Sequence, residues 1–297
     1  MKPVKAVDAA FLQLETPATP MHVGALFVLD PGSRQASRTF FRRFKLLIAA
    51  RVDRSEVFTR RVVGLPFNAA NPMWLAGRAD LDYHVRRTRL PDPGSQHQLE
   101  ECVADLHTPL MDRERPLWEL HVIEGLAGGR VALYVKTHHA GLDGASAQLF
   151  LRSFVDTVSR PARRSTRSPR VPQVEHASTT DLLLGGLRHQ VAELGRLPRL
   201  IGGLAGQWPG SLRGARNALL ALAPGGPSSA PRTPLNVAIS GERSFASVEC
   251  DLAQVKSVAR IHSATVNDVI LAASAGALRR WLVLHDQLPA ASLRTAV

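Results

Sequence analysis

The chain has 297 residues, of which 45% are hydrophobic, so its length and composition indicate a globular protein and exclude a disordered one. Its 37 basic and 25 acidic residues give a net charge of +12, which favours anionic partners (nucleic acid, anionic lipid or a phosphorylated cofactor) unless it reflects only an arginine-rich codon usage. Two cysteines, Cys102 and Cys250, exclude a disulfide framework and a cysteine-based metal cluster, and are typical of reduced thiols in a cytosolic protein. The N-terminus lacks the features of a secretory signal, and no run of about 18 apolar residues could span a membrane.

The first hundred residues are predicted to alternate strands and helices. Residues 22–29, HVGALFVL, have the length and β-branched content of a buried strand. Residues 36–51 show helical spacing, with aromatic and aliphatic side chains on one face and arginines on the other. Residues 81–95 indicate a short strand that enters a loop rich in proline and glycine, and residues 97–107 resume a helical pattern.

A β-hairpin is the clearest local prediction. Two apolar runs, 117–126 and 131–137, flank the turn sequence AGG, which is typical of antiparallel strands joined by a tight turn. The second run leads directly into HHAGLDG, residues 138–144, and a helical pattern begins after it. The histidine pair is therefore expected in a tight loop between a strand and a helix.

The following residues change in composition. Residues 160–170 contain five arginines and are predicted to form a solvated linker. Residues 180–223 indicate broken amphipathic helices with arginine faces, which either pack against the main body or lie on a membrane surface. A strand near 244–251 and a long helix across 265–284 are predicted to follow.

Three interpretations of the histidine pair compete from the residues alone: a metal site, a catalytic base with its structural support, or ordinary loop residues. Adjacent side chains at a strand end point to opposite faces, so His138 and His139 should not share one ligand. Asp143 could reach one of them, but a third strong metal ligand has no obvious candidate.

The segment HHAGLDG matches the HHxxxDG signature of chloramphenicol-acetyltransferase-like enzymes and peptide-synthetase condensation domains. This resemblance implies that His139 is the general base, with His138 beside it, because a neutral imidazole can take the proton of an attacking hydroxyl or amine. It also implies that Asp143 is structural, holding the loop through an ion pair, and that Gly144 permits the turn. A GxSxG motif is absent from the sequence, which agrees with direct transfer rather than an acyl-enzyme.

Further stretches narrow the resemblance. DAAFLQLETPATPMHVGALFVLD, RPLWELHVIEGL, NVAISGERSFA and TVNDVILAASAGALRRWL resemble the bacterial wax ester synthase/diacylglycerol acyltransferase family. The family's PLW motif then corresponds to Pro116, Leu117 and Trp118, and its ND motif to Asn267 and Asp268. From the residues alone, Trp118 is equally a core aromatic, and Asn267 is equally a helix cap.

The resemblance implies an α/β fold: a chloramphenicol-acetyltransferase-like two-layer sandwich domain plus the start of a second such domain. We expect the first domain and catalytic loop in residues 1–158, a basic linker with amphipathic helices in 159–235, and the beginning of the second domain in 236–297. Members of the family continue well beyond this length. We therefore expect a fragment, a truncated product or one half of a split enzyme, which would self-associate or bind a separately encoded C-terminal half.

The implied function is transfer of a long-chain acyl group from acyl-CoA to diacylglycerol or a fatty alcohol. Acyl-CoA is then a co-substrate, and neither a bound cofactor nor a metal is expected. The expected location is cytoplasmic, peripheral to a membrane or lipid droplet. The alternatives are another acyltransferase of the HHxxxDG superfamily, acting on polyketide or glycolipid hydroxyls, and an inactive lipid-surface binder. Nucleic acid is not an expected partner, because the arginine run is not interleaved with stacking aromatics.

Overall fold

The computed structural model describes residues 1–54, 56–64, 71–141, 181 and 231–293. The chain divides into two units, Met1–Gly195 with Ser240–Ala246 and Arg196–Ile239 with Ser247–Val297. The predicted boundary at 158, the predicted linker and nearly all of the predicted helices in 180–223 lie outside the described residues. The predicted division into domains therefore stays a prediction.

The described part of the first unit has an α/β fold, as predicted. Its strands are β1 (Lys2–Pro3), β2 (His22–Leu29), β3 (Arg60–Val63), β4 (Met73–Ala76), β5 (Val85–Arg89), β6 (Trp118–Glu124) and β7 (Val131–His138). Its helices are α1 (Ala6–Leu14), α2 (Arg34–Ala49), α3 (Glu56–Thr59), α4 (Leu81–His84) and α5 (Gln96–His107). The predicted strand 22–29 and the helices at 36–51 and 97–107 are confirmed to within two residues at each end. The predicted strand in 81–95 is confirmed from Val85 onward, after a helical turn.

A four-stranded sheet in the order β2-β7-β6-β5 organises this unit. Strand β7 pairs antiparallel with both β2 and β6, which confirms the predicted hairpin, whereas β5 pairs parallel with β6. Gly128 and Gly129 in the hairpin turn both have positive φ, a conformation that glycine adopts without steric cost. A smaller sheet, in the order β1-β4-β3, was not predicted, because strands of two to four residues are too short to show a period.

The two faces of the main sheet differ because side chains alternate along each strand. Val131, Leu133 and Val135 of β7 belong to one buried cluster together with Phe44 and Ile48 of α2. Removing most of a buried side chain such as Ile48 typically costs about 2–5 kcal/mol. The other face carries the alternate residues of β7, apolar near the hairpin turn and polar towards the histidine pair, and it packs against α5.

The second unit contains two described helices, α6 (Leu252–Ile261) and α7 (Val266–Leu284), and α7 confirms the helix predicted across 265–284. Its N-cap is Thr265, which forms a capping box with Asp268, so the alternative that Asn267 is the cap is wrong. The strand predicted near 244–251 is also wrong: within the described part of the chain these residues join no ladder. A strand requires a hydrogen-bonding partner, which a local apolar pattern cannot supply. None of the helices in the described ranges is long and apolar enough to cross a membrane.

Candidate active site

The histidine pair lies where β7 ends. A short 3-10 turn, His139–Gly141, follows directly after the strand. His138 is fully buried, its Nδ1 accepts a hydrogen bond of 3.0 Å from the amide of Ala140, and its Nε2 lies 3.3 Å from Glu15 Oε1. The His139 side chain is exposed and stacks on Phe11, with ring centroids 4.1 Å apart. The two imidazoles therefore have different neighbours, as alternation along a strand predicts.

Glu15 is a site residue that the sequence did not reveal. It follows α1, and its side chain is only 1% exposed. Besides the contact with His138, its carboxylate accepts a hydrogen bond of 3.0 Å from the amide of Met21 and one of 2.9 Å from Arg113. Burial raises the pKa of this carboxyl, but the three contacts outweigh burial and lower its pKa to about 2. Glu15 is therefore ionised at neutral pH and faces the buried histidine as an anion.

The tautomer of His138 follows from these contacts. Because Nδ1 accepts the Ala140 amide proton, the neutral ring carries its own proton on Nε2, on the side of Glu15. Glu15 faces this nitrogen and holds the ring in place, which makes His138 an anchor of the turn rather than a free base.

The turn is also held from the opposite side. Arg60 on β3 donates a hydrogen bond of 2.8 Å to the carbonyl of Gly141, and its guanidinium lies 4.4 Å from the ring of Trp74. The backbone of the pair is tied at both residues: His138 donates to the carbonyl of Leu117 over 3.1 Å, and His139 donates to that of Met21 over 2.8 Å. These contacts fix the direction in which the His139 ring leaves the turn.

The PLW segment supports this arrangement. Leu117 packs in one cluster with Ala140 of the turn, and Pro116 forms an isolated bridge to Arg61 of the smaller sheet. Trp118 is 1% exposed, its indole N–H donates to the carbonyl of Phe58 over 3.0 Å, and its ring stacks on that of His84. In the described structure Trp118 is a core aromatic. Leu117 and Trp118 are therefore buried and pack beneath the histidine turn rather than on an open surface.

Polar side chains line the buried sheet face that leads to His138. Lys136, 1% exposed, donates hydrogen bonds to the carbonyls of Leu106 and Pro109, which lie at and beyond the end of α5. Burial lowers the pKa of this ammonium group. On the neighbouring strand, Glu119 lies 3.0 Å from His121 Nε2. These pairings satisfy groups whose burial would otherwise be costly.

The presence of glycine at position 24, on β2, has a steric explanation. A Cβ atom on Gly24 would lie 2.5 Å from the hydroxyl of Tyr134. That hydroxyl is 2.6 Å from His107 Nδ1, and the carbonyl of His107 is in turn 2.6 Å from His22 Nε2. Burial lowers the pKa of His22 to about 4, so His22 is neutral at physiological pH. Gly24 therefore leaves room for a buried chain of hydrogen bonds beside the site.

The structure brings together five of the predicted site residues: Pro116, Leu117, Trp118, His138 and His139. Asn267 and Asp268 lie in the second unit, where Asp268 completes the helix cap. Asp143 and Gly144 lie outside the described residues, and their predicted roles stay predictions. Within the described ranges, no three His, Cys, Asp or Glu side chains come together as metal ligands.

Comparison with known proteins identifies relatives whose names agree with one another. A family model described as the wax ester synthase/diacylglycerol acyltransferase catalytic domain matches residues 4–270. A Mycobacterium tuberculosis (strain H37Rv) protein, named as a candidate diacylglycerol O-acyltransferase, is 38% identical over 285 residues, which cover 95% of this chain and 61% of the relative. The chain thus spans about three fifths of the length of the curated relatives it matches.

One solved structure extends this similarity to the fold. The wax ester synthase/diacylglycerol acyltransferase from Marinobacter aquaeolei VT8 is 30% identical to this chain, with a TM-score of 0.60. The match covers 97% of this chain and 62% of that protein. The similarity includes both described units, since it extends over almost the whole sequence.

Proposed function

Because this chain belongs to the wax ester synthase/diacylglycerol acyltransferase family, we propose that its protein transfers the acyl group of a long-chain acyl-CoA to the hydroxyl of diacylglycerol or of a fatty alcohol. The observation that carries the proposal is the geometry of the histidine pair. His139 presents an exposed imidazole at the end of a buried strand, and its neighbour His138 is fixed by an ionised carboxylate.

The chemistry requires a base and no covalent enzyme intermediate. The thioester carbonyl of acyl-CoA is already activated, so the acceptor oxygen attacks its carbon while the His139 imidazole takes the hydroxyl proton. The tetrahedral intermediate then collapses, the carbon–sulfur bond breaks, and the imidazolium returns the proton to the departing CoA thiolate. The products are an ester and free CoA, and the histidine ends the cycle unchanged.

The surrounding residues have positioning roles in this mechanism. Stacking on Phe11 limits the orientations of the His139 ring, and the amide bond to Met21 fixes its backbone. His138 is too buried to contact substrate, so its role is to fasten the turn to Glu15. Small displacements of a catalytic group can cost about 10²-fold in rate, which is why this support matters.

The proposal includes no bound cofactor and no metal, with acyl-CoA acting as a co-substrate. It also places the protein in the cytoplasm, peripheral to a membrane or lipid droplet. The water-insoluble acceptor supports this location, and so does the net charge of +12, because basic proteins are attracted to anionic lipid surfaces.

The experiment is an acceptor panel. Radiolabelled palmitoyl-CoA is supplied to the purified protein with diacylglycerol, hexadecanol or a glycolipid alcohol, and the labelled esters are separated by chromatography. We expect triacylglycerol or wax ester. Labelled product only with the glycolipid would favour the alternative acyltransferase function, and labelled ester from none of the three would contradict the proposal.

A further inference from the structure

A cavity lined by arginines lies on the main sheet, away from the histidine pair. Its volume is about 290 Å³, near the lower limit of small-molecule sites. Five arginines line it, from three separate parts of the chain: Arg34, Arg38, Arg87, Arg89 and Arg130. Its acidic lining residue, among those that the structure describes, is Glu124.

The fold explains how these side chains meet. Arg34 and Arg38 are one turn apart at the start of α2, so they lie on the same side of the helix. Arg87 and Arg89 alternate along β5 and share one face of the sheet. That face is the one covered by α2, and Arg130 joins it from the hairpin turn. The helix and the strand therefore place these four arginines on facing sides through their backbone geometry.

The cavity is electrostatically unbalanced. Five positive groups and one negative group give its described lining a net charge of +4, and like charges this close repel one another. Glu124 neutralises only one of the five positive charges. Its Oε2 accepts hydrogen bonds from the Nε and from a terminal nitrogen of Arg87, at 3.0 and 2.6 Å. An anion in the cavity would relieve the repulsion.

Glu124 supplies a second, independent indication of a ligand. Its side chain is 8% exposed, and its Oε1 is buried without a hydrogen-bond partner among the described residues. A buried carboxylate oxygen left without a donor is unfavourable. A simple anion would not correct this, whereas a ligand that also carries a hydroxyl or amino group could donate to it.

We propose that this cavity binds a phosphate ester that carries a hydroxyl or amino group close to the phosphate. The arginines would take the phosphate oxygens through charge-assisted hydrogen bonds, and Glu124 Oε1 would accept the neighbouring donor. A phospholipid head group and a soluble phosphorylated polyol share this chemistry. The site goes beyond acyl transfer and does not depend on it.

The cavity is remote from His139. Arg130 precedes β7 and His139 follows it, and the nine residue steps between them span about 30 Å at roughly 3.3 Å per residue. A ligand at the arginines would therefore hold the protein without contacting the exposed imidazole.

The test uses the 297-residue chain and two double variants. Arg34→Gln with Arg38→Gln removes two cavity arginines from exposed helix positions. The matched control, Arg42→Gln with Arg43→Gln, changes the same helix and lowers the net charge equally, but these exposed arginines do not line the cavity. Calorimetry measures binding of glycerol 1-phosphate and of methyl phosphate, which lacks the hydroxyl. Flotation measures binding to vesicles of phosphatidylglycerol and of phosphatidylcholine.

We expect the cavity variant to lose at least about tenfold in affinity for glycerol 1-phosphate or for phosphatidylglycerol vesicles, and the control less than about twofold. Methyl phosphate should bind the parent protein more weakly than glycerol 1-phosphate. If glycerol 1-phosphate releases the protein from vesicles, a soluble ester is a sufficient ligand. If only vesicles respond to the cavity variant, the lipid head group is the ligand. Equal losses in both variants, or no binding by the parent protein to either probe, would overturn the proposal.

Discussion

Replacing Glu15 by glutamine tests the support of the histidine turn most sharply. The substitution keeps the size and shape of the side chain but removes the charge that faces His138 and Arg113. The glutamine oxygen can still accept a hydrogen bond from the amide of Met21. Its NH2 group, however, is a donor and would face the donor groups of His138 and Arg113. The loss of stability should therefore reflect removal of the buried charge rather than creation of a cavity.

The magnitude follows from the pKa of Glu15. Its pKa falls from 4.5 to about 2 in the folded protein. At about 1.4 kcal/mol per pKa unit, the fold favours the ionised carboxylate by on the order of 3 kcal/mol. For proteins of this approximate size, each kcal/mol lowers Tm by about 2–4 °C, so Glu15→Gln should lower Tm by roughly 6–12 °C at pH 7.

The pH dependence has a definite sign. Because the pKa of Glu15 is lower in the folded chain than in the unfolded chain, its contribution is fully present above about pH 4.5 and is lost as the pH falls towards 2. Thermal unfolding of the parent protein and of Glu15→Gln should therefore differ most near pH 7 and converge on acidification. A Tm within about 1 °C of the parent value at pH 7 would refute the reasoning, because it would mean that no ionised carboxylate stabilises this turn.

Two substitutions and one binding measurement test other features of the protein. Gly24→Ala places a methyl group against the Tyr134 hydroxyl and should destabilise the fold by about 1–3 kcal/mol in urea titration, whereas an unchanged midpoint would show that the ring moves freely. Asp143→Asn should lower both Tm and the rate of acyl transfer if Asp143 is structural, and a lower rate at constant Tm would instead indicate a purely chemical role. Residues 160–223 should favour anionic over neutral vesicles, since each nearby basic residue contributes about 1 kcal/mol at an anionic surface, and equal, salt-independent binding to both would contradict this.

Periodic patterns predicted the elements around the site well. The length and β-branched content of β2, the apolar run of β7 and the helical spacing in α2 and α5 are local signals that the packed structure keeps. The same signals led to the wrong strand near 244–251, because a period cannot tell whether a partner strand lies beside it. Thr265 at the start of α7 was missed as a cap, although its spacing to Asp268 is the sequence signature of a capping box.

The residues that hold the histidine turn could not be predicted in the same way. Arg60 meets Gly141 across 81 positions of sequence, and Glu15 lies in a different element from His138. From sequence alone, a single glutamate before a Thr-Pro pair resembles a solvated loop residue. Only the meeting of α1 with the end of β7 makes it a buried counter-ion. The family resemblance located the two histidines but gave no role to Glu15 or Arg60. Glu15 lies within DAAFLQLETPATPMHVGALFVLD without being singled out there, and Arg60 lies in none of the stretches that carried the resemblance.

The central claim is that His139 is the general base of acyl transfer. The most direct measurement compares the rate of ester formation by His139→Gln with that of the parent protein. The control is His97→Gln, which changes another exposed histidine, on α5. We predict that His139→Gln lowers the rate by about 10²–10⁴-fold while Tm and the control rate stay near the parent values. A folded His139→Gln protein that forms ester at the parent rate would contradict the account.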